Sequence, residues 1–276
     1  IGPIGRGSGH VVVTGTLDLA TRAVAASAAG ELAGIDVRGV RLARGFVTAV
    51  ASGTLDAPRF TAAVRGGGMH AGGYDFASVR ASASGTPQEM EVSARLVGGD
   101  EQAPSVAARA HLSNRGALTL SGTQLRVERA DVAAVAQVAS IRVDGGTVAV
   151  RGMTILGLGQ PVVASGQVSG GGAAVEASGA RVDVWLLGRL LASAEEASGH
   201  LRFDVGANLR GRSVQGHASA EIGDLSARGV EGGSLRVSAV LAGTQLRGEL
   251  QAALGEAGRL ALSTSDVQLG GPALEA

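Results

Sequence analysis

From Leu201 to Thr264 the chain alternates apolar and polar residues through strand after strand, and almost none of the apolar residues is aromatic. Leu201, Phe203, Val205, Ala207 and Leu209 share one parity, while Arg202, Asp204, Asn208 and Arg210 hold the other. Val214, Ala218, Ala220 and Ile222 repeat the pattern against Gln215, His217, Ser219 and Glu221. Leu235, Val237, Ala239 and Leu241 follow, then Leu246, Leu250, Ala252 and Leu254, then Leu260 and Leu262. Successive side chains of a strand point to opposite faces, so this stretch predicts a long sheet with one apolar and one wet face. The apolar face must meet something, and its demand for an occupant is the main functional clue.

Earlier strand patterns run over His10–Leu19, Ile35–Leu42, Phe46–Ala51, Arg59–Arg65, Phe76–Ala83, Met90–Leu96, Val106–Leu112, Leu118–Val127, Ile141–Val150 and Val162–Val168. Between them lie turn residues: Gly66-Gly67-Gly68, Gly98-Gly99-Asp100, Asn114-Arg115-Gly116, Asp144-Gly145-Gly146, Gly170-Gly171-Gly172, Gly232-Gly233 and Gly270-Gly271-Pro272. Glycine supplies the positive φ of tight hairpins. Links this short favour antiparallel neighbours, because a parallel crossover needs a dozen or more residues. The 45 glycines and the 2% aromatic content fit a meander whose apolar side is Val, Ala and Leu. A Gly-Thr pair recurs at Gly15, Gly53, Gly122, Gly146 and Gly243, as a turn glycine before a β-branched strand starter.

Two segments break the period. Asp183–Ser198 predicts a helix, with Asp183 as N-cap, Leu186, Leu187, Leu190 and Leu191 at helical spacing, and Trp185 helping to seat it on the sheet. Asp18–Ala29 is an alanine-rich second candidate. Both follow a similar tripeptide, Leu17-Asp18-Leu19 and Val182-Asp183-Val184, and both lead to Gly30-Glu31-Leu32 or Gly199-His200-Leu201. These parallels predict a degenerate repeat of a helix followed by strands, with approximate units 1–180 and 181–276, their helices at 18–29 and 183–198.

No catalytic constellation emerges. The five histidines, His10, His70, His111, His200 and His217, never pair at a metal-ligand spacing, and a solvated sheet face explains His111 and His217. Asp100-Glu101 and Glu195-Glu196 read as solvated charges. Gly5-Arg6-Gly7-Ser8-Gly9 suggests a phosphate loop only superficially: no strand precedes it, no helix follows, and a turn is the simpler reading. No Gly-x-Ser-x-Gly elbow is present at Gly211-Arg212-Ser213. The chain has no Cys, which excludes disulfides and thiolate-ligated metals. Zero net charge with scattered acids and bases points away from nucleic acid. Apolar runs fall short of the roughly 18 residues that span a bilayer. No catalytic residue, metal site or cofactor is therefore expected, and the patterned ends suggest a piece of a larger protein.

Leu186-Leu187-Gly188-Arg189-Leu190-Leu191, followed by acidic and small residues and then Gly199-His200-Leu201, resembles the repeat of the TamB family. So does Gly53-Thr54-Leu55-Asp56-Ala57-Pro58-Arg59, close to that family's Gly-Thr-Leu-x-x-Pro, and so does the closing Leu254–Leu260. The corresponding second position, Val205–Arg210, has neither Thr nor Pro. TamB is the inner-membrane-anchored component of the translocation and assembly module, among the AsmA-like envelope proteins. The resemblance implies a mostly-β periplasmic rod of a Gram-negative bacterium, its long antiparallel sheet curled into an open apolar trough (β-taco-like) with one or two short helices. It also implies phospholipid movement between inner and outer membranes, support of outer-membrane protein or autotransporter assembly, and partnership with an Omp85-type, TamA-like barrel through regions outside this chain. The trough-lining candidates are Leu201, Phe203, Val205, Leu209, Val214, Ile222, Leu235, Val237, Leu241, Leu246, Leu250 and Leu254, which would carry acyl chains. A β-solenoid passenger or adhesin and a closed β-sandwich scaffold are rival expectations; a third, an outer-membrane β-barrel, wants aromatic girdles, and this chain has six aromatics in all.

Overall fold

The computed structural model describes residues 6–37, 39–100, 103–191, 197–211, 213–227, 230–253 and 258–268. The chain packs as two compact units, Ile1–Ala133 and Ala134–Ala276. The expected repeat boundary at 180/181 falls inside the second.

The first unit is an antiparallel meander of β1 (Arg6–Asp18), β2 (Ala23–Val37), β3 (Val40–Thr54), β4 (Ala57–Ala71), β5 (Tyr74–Gly85), β6 (Glu89–Gly98), β7 (Ser105–Asn114) and β8 (Leu118–Arg129), each paired with the next. The second repeats the arrangement with β9 (Val132–Asp144), β10 (Thr147–Leu156), β11 (Val162–Ser169), β12 (Gly172–Asp183), helix α1 (Val184–Leu190), β13 (Ser198–Arg210), β14 (Ser213–Ala227), β15 (Val230–Ala242), β16 (Gln245–Ala253) and β17 (Arg259–Gln268). The fold is mostly β, antiparallel throughout, not closed, and carries one short helix among the described residues. An antiparallel ladder is incompatible with a parallel β-solenoid.

Several local expectations are corrected. Asp18–Ala29 is not a helix: residues 19–22 form a turn, and Ala23 begins β2. The alanines of β2 are hydrogen-bonded on both sides, to β1 and to β3, and that ladder outweighs the helix propensity of alanine. Helix α1 covers only seven residues of Asp183–Ser198. Residues 192–196, with Glu195-Glu196, lie outside the described residues, and Ser198 already belongs to β13. Ile35–Leu42 is a hairpin rather than one strand, because Ile35 faces Leu42 and Val37 faces Val40 across the β2–β3 turn. Ile141–Val150 is likewise divided by the Gly145-Gly146 turn.

Gly66-Gly67-Gly68 lies within β4, and the turn falls instead at Gly72-Gly73. A Cβ at Gly66 would stand 2.9 Å from Leu42 Cδ1 and 2.7 Å from the Arg44 carbonyl, so strand packing explains that glycine. Gly232-Gly233 is part of β15, beside an irregular stretch of its pairing with β14. Of the Gly-Thr pairs, Gly15-Thr16 and Gly122-Thr123 sit inside strands. Arg6–Gly9 of the glycine-rich opening is strand, not turn. Gly270-Gly271-Pro272, Glu101 and Arg212 lie outside the described residues.

Candidate functional site: a partly covered apolar face

Antiparallel partners project to the same side of a sheet, so the register shows which predicted residues meet. In the second unit Val182 faces Leu201, which faces Ile222, then Leu235, Ala252 and Leu260. The next row runs Ile155, Val162, Gly179, Phe203, Ala220, Val237, Leu250 and Leu262. A third joins Met153, Ala164, Ala177, Val205, Ala218, Ala239 and Gly248. A fourth joins Val150, Gly166, Val175, Ala207, Gly216, Leu241, Leu246 and Val267, and a last pairs Ala173 with Leu209 and Leu209 with Val214. Eleven of the twelve predicted residues are thereby placed on one face of one unit. Leu254 lies outside the described residues.

Bulges keep that face in phase. Between Val150 and Met153 the β10–β11 register shifts by one residue, and Gly152 sits there at φ 61°. Without the shift, one end of β10 would turn its apolar set to the wet side. A second shift, between Gly179 and Val182, serves β12 in the same way.

One end of this face is covered. Ala134, Leu158, Val162 and Val182 form a buried cluster, with Ile155, Leu186, Leu187, Leu190, Leu201 and Phe203 packed against it. Helix α1 brings the three leucines there. Its N-terminus is capped by Asp183, whose Oδ1 accepts from the Trp185 and Leu186 amides at 2.9 and 3.1 Å. The Asp183 amide donates to the Leu158 carbonyl at 2.8 Å, tying the helix start to the β10–β11 loop. Trp185 does not seat the helix: it is 40% exposed, with the Arg189 guanidinium 5.5 Å from its ring. Leu191 is the exposed C-cap. Gly179 lies at the floor, where a Cβ would stand 2.7 Å from Phe203 Cε1 and 2.9 Å from Val182 Cγ2. Its missing side chain leaves room for the Phe203 ring beside the cluster.

Away from the helix the same face is open. Val205 and Leu209 are each 40% exposed and Leu262 58%. A contiguous apolar surface of this kind is unusual for a surface without an occupant.

The first unit has its own apolar rows. Val11, Gly30, Val47, Val64, Ala81, Ala94, Ala108 and Leu125 align across β1 to β8, beside Leu32, Gly45, Gly66, Val79, Leu96, Val106 and Val127. Phe76 is its buried aromatic.

The wet faces carry pairings that the linear pattern hid. His70 and Asp75 are direct cross-strand partners, their Nδ1 and Oδ1 2.8 Å apart, and His111 and Glu91 repeat the arrangement at 2.8 Å. His217 Nε2 lies 2.5 Å from Asp204 Oδ1. These are exposed pairs, each of little energetic weight. Spacings along the chain of 5, 20 and 13 residues conceal contacts that only the hairpin registers create. Arg65, Arg80 and Arg95 stand opposite one another on β4, β5 and β6. Among the described residues, no group of three or more His, Cys, Asp or Glu side chains could hold a metal ion. No described helix is long and apolar enough to cross a membrane. Asp100 Oδ1 accepts from the Ala103 amide at 2.7 Å.

Comparison with protein-family models, curated proteins and solved structures finds no match for this chain.

Proposed function

We propose that this chain is the sheet region of a non-enzymatic, TamB-like envelope protein whose apolar faces carry phospholipid acyl chains, or shield comparably apolar clients. The supporting observation is the open part of the second unit's apolar face, from Val205 to Leu262, built of small side chains and left uncovered by α1. An acyl chain gains about 0.8 kcal/mol for each methylene removed from water. Moving from a bilayer to an apolar trough is then nearly neutral, whereas moving to water costs on the order of 10 kcal/mol per chain. A surface that carries lipid therefore needs continuity of apolar rows more than tight pockets. On this reading the protein works in the periplasm, is anchored to the inner membrane through a segment outside this chain, supports outer-membrane protein or autotransporter assembly, and partners an Omp85-type, TamA-like barrel. It acts without a cofactor and on no nucleic acid.

The test is lipid soaking of the purified chain, read by native mass spectrometry, alongside Val237→Asp and Leu250→Arg. The two residues are cross-strand partners on the half-buried part of the row. A charge there imposes desolvation on anything lying over it. The expected result is bound phospholipid on the unmodified chain and at least a tenfold loss on both variants, with the circular dichroism of the sheet unchanged. Undiminished lipid on folded variants would overturn the reading. Unfolding of both variants would show a closed core instead of a carrier surface.

A further inference from the structure

Arg129 ends β8 in phase with Val127 and Leu125, on the apolar side of the first unit. An arginine at such a position normally snorkels to water. This one is 8% exposed. Its guanidinium lies 5.7 Å from the centroid of the Tyr74 ring, and its Nη1 is buried without a hydrogen-bond partner. Tyr74 opens β5 in phase with Phe76, whose strand partner Met69 follows the row of Leu42. The Leu42 side chain lies against Gly45 and Gly66, and Val79 flanks Gly66 on the same side, which identifies this side as the apolar one. Two strands, β6 and β7, separate β5 from β8, a span of about 14 Å at ordinary strand spacing. Tyr74 and Arg129 meet across it, their long side chains reaching toward each other at the end where β6 stops at Gly98 and β7 starts at Ser105.

The result is a cation at the end of the apolar rows, held over an aromatic ring with its Nη1 unsatisfied. Cation–π attraction holds the guanidinium by the ring without using its N–H donors, which leaves Nη1 for an acceptor. The acceptor best matched to a guanidinium edge is an anionic oxygen of a phosphate.

We propose that Arg129 anchors the phosphate head of a lipid whose acyl chain lies along the first unit's apolar rows, an inference that rests on the acyl-carrying reading above. The Tyr74 ring holds the guanidinium beside those rows.

The experiment compares two probes that share one acyl chain, 1-oleoyl-glycerol 3-phosphate and 1-oleoyl-glycerol. Each is titrated below its critical micelle concentration against the whole chain, the Arg129→Met variant and the Tyr74→Leu variant, with circular dichroism as the folding control. The unmodified chain should prefer the phosphate-headed probe by roughly tenfold, the size expected of one charge-assisted hydrogen bond. Arg129→Met should bind both probes alike, at the level of the neutral one, and Tyr74→Leu should lose part of the preference. Should Arg129→Met fail to fold, Arg129→Lys replaces it, and the preference should fall by half or more because the planar fork is gone. Equal binding of both probes to the unmodified chain, or a full preference retained by the variants, overturns the anchor and leaves the acyl-carrying reading standing. Binding of neither probe overturns that reading itself. Inorganic phosphate bound as tightly as the lipid would make this a free-phosphate site and overturn the lipid assignment.

Discussion

Asp18 and Asp183 occupy the same local setting and lead to different structures. Each closes a strand and sits in a similar tripeptide, and each turns its carboxylate back on the amides two and three residues ahead. Asp18 accepts from Ala20 and Thr21 at 2.8 and 3.3 Å, Asp183 from Trp185 and Leu186 at 2.9 and 3.1 Å. After Asp183 the chain continues as α1. After Asp18 it reaches Arg22 at φ 54° and reverses into β2. The cap closes a turn in either place, but continuing it as a helix needs an apolar surface for the next turn to land on. Leu186, Leu187 and Leu190 find the Val182 cluster. Leu19 finds nothing and stays 79% exposed, whereas Val182 is 2% exposed.

The sharpest way to break this contrast is to charge the landing surface. Val182→Asp should cost about 3–5 kcal/mol in urea unfolding, as expected for a carboxylate buried without a partner. The equivalent Leu17→Asp should change stability by less than about 0.5 kcal/mol, because that site is exposed. Equal losses at the two positions would show that the helix is not what distinguishes them.

A smaller effect is expected from the helix side. Leu190→Ala should cost about 1–2 kcal/mol, since the leucine is half-buried. It should also raise hydrogen exchange in α1 before β12 or β13 is affected. Exchange that rises equally in all three would mean that helix and sheet open as one unit.

Removing the caps sharpens the comparison further. Asp183→Ala should cost about 1 kcal/mol, the usual loss at an N-cap. Asp18→Ala should leave global stability nearly unchanged while loosening the β1–β2 turn, seen as narrower dispersion of the Ala20 and Thr21 amide resonances.

The smallest expected effect is a titration. The Thr21 hydroxyl first, then the Ala20 and Thr21 amides, hold the Asp18 carboxyl below its ordinary value of 3.8. A carboxyl lowered in the fold contributes stability above its unfolded pKa and loses it as pH falls through the folded pKa. The Ala20 and Thr21 resonances should therefore titrate with a midpoint below 3.8. A midpoint at or above that value would remove the turn's hydrogen bonds from the account.

The amino-acid sequence by itself determined the alternation and so the class of fold. Side-chain direction in a strand is a local property, and it put Leu201, Phe203, Val237 and Leu250 on one side before any partner strand was known. It also located the Asp183 cap, whose hydrogen bonds span three residues. Tertiary structure alone decided the rest. Whether Asp18 began a helix depended on a surface contributed by distant strands, and Gly66 stayed in β4 because Leu42 filled the space beside it. His111 met Glu91, and Arg129 settled over Tyr74, only once the registers were set. Parity says which residues share a face. How much of that face is covered is a non-local matter of packing, which short-range periodicity cannot encode.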